Sequence, residues 1–130
     1  FSATNLQGKS FSGLKLDEAS SSAKVEPLWI TVDGAGTTGS GGLFTDVTAN
    51  TKGNAVARIN FSGFDSPQVG FVQATLDLDT DDNGSFYATG VNMICQYKSN
   101  IAGSGRDMLF CAGHAPGDTN NLFNVLAVSQ

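Results

Sequence analysis

Ala55 through Ser62 reads Ala-Val-Ala-Arg-Ile-Asn-Phe-Ser. Ala55, Ala57, Ile59 and Phe61 fall on one side and Val56, Arg58, Asn60 and Ser62 on the other. A repeat of two residues marks a strand with one face against a core, because successive side chains of an extended chain leave opposite faces. The pattern returns at Val72, Ala74, Leu76 and Leu78, set against Gln73, Thr75 and Asp77. It returns again in a long segment where Tyr87, Val91, Met93, Cys95 and Tyr97 share a side. No segment carries the three-to-four residue spacing of an amphipathic helix.

Other segments fit the same picture less strictly. Leu14 and Leu16 flank Lys15, which predicts a half-buried strand over residues 11–16 with the leucines inward. Residues 25–32 are the most apolar, with Pro27 at their entry. Leu43, Thr45, Val47 and Ala49 alternate and predict a strand that ends in a turn over residues 50–54. Residues 108–112 and 122–128 supply two further strands, and Asn83-Gly84 suits a tight hairpin turn. Sixteen glycines and a scarcity of Glu and Arg agree with strands joined by close turns. The expected fold is all-β: a single domain over residues 1–130, an antiparallel sandwich or a small barrel of roughly 7–9 strands. Residues 1–22 form either an extended N-terminal arm or the first strand. As an arm, they would add to the open sheet edge of a neighbour.

Cys95 and Cys111 are the only cysteines, and an even pair in a small Gly- and Ser-rich chain predicts one disulfide and an oxidising compartment. Phe1 in place of an initiator methionine fits a removed signal peptide, so the expected location is extracellular or at the cell surface. The net charge of −5 and the single scattering of seven Lys and Arg exclude a phosphate-tracking surface, hence nucleic acid as a partner. No apolar run approaches the roughly 20 residues of a membrane span.

Gly34-Ala35-Gly36-Thr37-Thr38-Gly39 matches the glycine spacing of dinucleotide loops and follows an apolar strand. The match is rejected, because such loops need a following helix whose N-terminus holds the pyrophosphate, and a strand-like segment follows here. These glycines read as a flexible connection. Asp79, Asp81 and Asn83, followed by Gly84, place oxygen ligands at alternate positions before a sharp turn, as in the opening half of a calcium loop. The closing Glu is missing, which excludes an EF-hand and leaves a calcium-binding hairpin; Ca²⁺ is the one cofactor the sequence points to. His114, the only histidine, has Asp118 four residues on, yet no nucleophile motif accompanies it. No catalytic constellation emerges, so no enzyme activity is expected.

Nine Phe with Trp29, Tyr87 and Tyr97 exceed the needs of one sheet face. Phe71 and Phe86 stand opposite the expected core, and with Trp29 they are candidates for a ligand or subunit interface. The functional expectation is a secreted or cell-surface module without enzymatic activity, acting through a protein partner or self-association in an adhesive, structural or filament role. The alternative is an extracellular or periplasmic barrel that binds a small ligand or carbohydrate.

Overall fold

A computed structural model describes residues 1–19, 22–54, 56–79 and 88–130. Nine strands follow in chain order: β1 (Ser10–Ala19), β2 (Ser22–Val32), β3 (Thr38–Asp46), β4 (Thr51–Lys52), β5 (Val56–Ser62), β6 (Phe71–Asp79), β7 (Ala88–Lys98), β8 (Met108–Ala115) and β9 (Asp118–Ser129). All pairings are antiparallel, and neighbours in sequence are neighbours in space, apart from the short β4, which is an appendage to β3. β9 returns to pair with β1, Phe11 opposite Ser129 through Glu18 opposite Leu122, and this pairing closes eight strands into a barrel. The barrel therefore decides the closure that the sequence pattern left open. Within the N-terminal segment, β1 is held on both sides by β2 and β9.

The interior is filled by one residue in two from each long strand. Phe11, Ile30, Ile59, Leu76, Val91, Leu109, Phe123 and Val125 are all buried. Closure at eight strands leaves an interior that side chains fill. Leu6, carried on a 3₁₀ turn over Ala3–Asn5, is fully buried and plugs one end. Around it, Phe1 stacks on Tyr97 with ring centroids 4.6 Å apart, and Phe64 meets Phe1 edge-on. The Lys9 ammonium is paired with Asp107, whose second oxygen accepts the Asn100 amide.

Cys95 lies directly opposite Cys111 across the β7–β8 ladder, and the two form the disulfide expected from sequence. Both face the interior and are fully buried.

Several local expectations need correction. Lys15 is buried and Leu14 is exposed, the reverse of the expected phase for β1. Phe11 and Lys15 share the inward side, and the Lys15 ammonium reaches Glu26 at 2.7 Å and Asp17 at 3.5 Å. Val47 and Ala49 do not continue β3. The chain turns over residues 47–50, with Asn50 at φ 54° and the Asp46 carboxylate accepting the Ala49 amide, and Val47 is exposed. The glycine-rich stretch is not a flexible connection. Asp33 folds the β2–β3 turn by accepting the amides of Thr37 and Thr38. Enclosure raises its carboxyl pKa, but the amides of Thr38, Thr37, Gly36 and Ala35 outweigh that and hold it below the ordinary carboxylate range. Gly41 lies within β3, where a Cβ would stand 1.8 Å from the Trp29 carbonyl oxygen. In β7, Ala88 and Val91 both face inward because Gly90, at φ 60°, forms a bulge opposite Asp77, whose Oδ1 accepts the Gly90 amide at 2.7 Å.

Candidate functional site

A closed barrel can act through its interior or through its outer wall. An interior cavity bounded by Lys15, Leu28, Leu43, Leu76 and Val125 measures about 10 Å³, room for no more than a single water. The interior of the described barrel is thus packing space. Lys15 lies in it with a buried stem, while Glu26 and Asp17 stand nearer one mouth and remain partly open to solvent. That placement satisfies a buried ammonium, which would otherwise be costly.

The outer wall divides into two regions. Register brings Leu14 of β1, Leu126 of β9 and Phe110 of β8 into one cross-strand row. They are 50%, 47% and 40% exposed. Leu122 and Ile94 flank the row and are similarly open. The outward positions of β1, β9, β8 and β7 that surround it are mainly Ser, Asn, Gln and small or apolar residues. From Ser10 to Leu16, Leu122 to Val128, Met108 to His114 and Asn92 to Lys98, Lys98 is the only outward residue with a formal charge. Among the described residues no helix is long and apolar enough to cross a membrane.

Next to this row, over β5 to β8, the wall is concave. A groove of about 460 Å³ runs between Gln73 and Thr75 on one side and Ile94 and His114 on the other.

The residues singled out from sequence are scattered over the fold. Trp29 is on the outer wall of β2, half-buried, facing Gly42 across the ladder, with the Lys52 ammonium 3.9 Å above its ring. Its Nε1 is buried and has no hydrogen-bond partner among the described residues. Phe71 is half-buried at the start of β6, opposite Gln96, on another part of the wall. Phe86 lies outside the described residues, so the three do not stand as one described site. Asp81 and Asn83 also lie outside them. Asp79 is buried at the end of β6, and the described residues alone contain no cluster of three metal-ligating side chains. His114 is exposed and its Nδ1 meets the Ala115 carbonyl at 2.9 Å, while Asp118 accepts the Asn120 amide, so the two form no dyad.

The exposed row escaped sequence reasoning because its members are far apart in the chain and only register assembles them. One signal was available. Phe11 is in phase with Lys15, and a large aromatic is a stronger claim on the core than two leucines beside a lysine. Comparison with family models, curated proteins and solved structures finds no match for this chain.

Proposed function

We propose that this protein is a β-barrel module without enzymatic activity, that it works through protein contacts made by its outer wall, and that a second copy of the chain is the partner its exposed row fits. The single observation that carries this is the contiguous Leu14–Leu126–Phe110 row. Exposed apolar patches set in a polar rim mark contact sites. A chain of net charge −5 repels its copies, but the wall around the row holds no carboxylate at the outward positions named above. Two such rows meet without a carboxylate between them, the nearest in register on β1 being Glu18 opposite Leu122, and a two-fold axis along the row pairs each leucine with its counterpart. The disulfide supports an oxidising, extracellular setting.

Magnitudes set the affinity. Covering the exposed half of Leu14, Phe110, Leu122 and Leu126 contributes roughly 1 kcal/mol each, about 8 kcal/mol for two copies. Association costs roughly 4–15 kcal/mol. Gain and cost are of the same size, so the dimer expected here is weak and reversible, not obligate.

Light scattering over a concentration series from micromolar to millimolar tests this. The mass is expected to climb from that of one chain, 13.5 kDa, towards twice that value. Leu126→Lys places a charge from each copy in the contact and is expected to weaken the dimer by about 10–100-fold. A constant monomer mass, or equal association by the variant, contradicts the proposal.

A further inference from the structure

We propose that the groove over β5 to β8 binds a neutral oligosaccharide. The groove residues lie outside the Leu14–Leu126–Phe110 row, with Ile94 at the border between the two, and the groove does not depend on self-association.

A barrel wall is convex, so a concavity of about 460 Å³ on it requires a local cause. Register supplies one. Ser62, Gln73, Ile94 and Ala112 form one cross-strand row, and the small Ser62 and Ala112 leave space beside the longer Gln73 and Ile94. The next row runs Thr75, Asn92, His114. The volume lies within the range of small-molecule sites, roughly 300–1,000 Å³.

The chemistry of the lining selects the ligand. No Lys, Arg, Asp or Glu lines the groove, so an ionic ligand finds no counter-charge. Thr75 and Asn92 can each donate and accept. A carbonyl only accepts, so His114 Nδ1 donates to the Ala115 carbonyl, and in the neutral ring Nε2 is left as an acceptor turned away from that bond. Gln73 Nε2 donates to Ser66 Oγ at 3.3 Å, which leaves its amide oxygen to accept. Hydrogen-bonding groups therefore recur along the Thr75–Asn92–His114 row at the interstrand spacing of about 4.8 Å. The hexose units of an extended glycan repeat on nearly the same spacing. The half-exposed Ile94 and the methyl of Ala112 offer an apolar surface to the C–H face of a sugar ring. An extended peptide would ordinarily pair with a sheet edge, and the closed wall at this groove offers none.

The test is an array of neutral glycans probed with the intact disulfide-bonded chain, followed by an amide NMR titration with each glycan that binds. At least one neutral glycan is expected to bind, with shift changes concentrated at Thr75, Asn92, Ile94 and His114. Asn92→Ala and Thr75→Ala are each expected to weaken it about 3–10-fold, the loss of one hydrogen bond. Both lie on the outer wall, and a thermal melt identifies whichever variant remains folded. Leu126→Lys is expected to bind the glycan as the parent does, whatever it does to assembly. Absence of binding to every neutral glycan, shifts centred elsewhere, preference for charged glycans, or folded variants that bind equally well overturns the proposal.

Discussion

Truncating Lys15 to alanine is expected to lower the free energy of unfolding by about 3–5 kcal/mol, the cost of breaking a buried ion pair from one side. The expectation follows from the placement of the side chain. Lys15 is 1% exposed, its stem lies among Leu28, Leu43 and Val125, and its ammonium meets Glu26 and Asp17. Truncation opens a cavity and leaves two carboxylates beside an apolar interior. Glu26 and Asp17 are partly open to solvent, which favours the lower end of that range. Lys15→Met with Glu26→Gln and Asp17→Asn removes all three charges and nearly keeps the volume, and it is expected to recover most of the loss. Equilibrium unfolding in urea measures both variants. A change under about 0.5 kcal/mol for Lys15→Ala, the ordinary effect of a surface substitution, would contradict the inward placement.

Replacing Cys95 and Cys111 together by alanine is expected to cost about 3 kcal/mol, for a bridge that closes a loop with a sequence separation of 16. For a domain of this size that corresponds to a fall in melting temperature of roughly 10 °C. The strand pairing itself should survive, because Cys95 and Cys111 are one rung among seven in the β7–β8 ladder. Far-ultraviolet circular dichroism of the folded variant is therefore expected to match that of the parent, while its melt moves down. Loss of the strand signal at low temperature would mean that the bridge, not the ladder, holds this part of the wall together.

Much of the fold was legible because alternation is local. Ala57, Ile59 and Phe61, then Val72 to Leu78, then Val91 to Tyr97 announce their inward face within each segment, and burial follows. The disulfide was legible from the pair of cysteines. Barrel closure was not, since it depends on β9 returning to β1, a pairing between residues more than one hundred positions apart. Phase failed in β1, where a shift of one residue reverses every side chain. There the apolar character of Leu14 and Leu16 outweighed Phe11 in the reading, although the long Lys15 can be buried once its charge finds carboxylates at the mouth. Local turn chemistry ended β3 at Asp46, before an alternation that continues on paper to Ala49. On the outer wall, Trp29 and Phe71 are each half-covered. The open residues of the cross-strand row are two leucines and a phenylalanine whose hydrophobicity, read along the chain, argued for burial.

The proposed self-contact stands or falls on which leucines meet solvent. Methyl NMR of dilute protein with a soluble paramagnetic relaxation agent reads this directly. Leu14 and Leu126 methyls are expected to broaden strongly, and to become protected as concentration rises, while Leu28, Leu76 and Leu109 stay sharp throughout. Leu14 and Leu126 methyls as protected as Leu109 in the dilute sample, or Leu14 and Leu126 equally broadened at every concentration, would contradict an outer wall built for contact with a second copy.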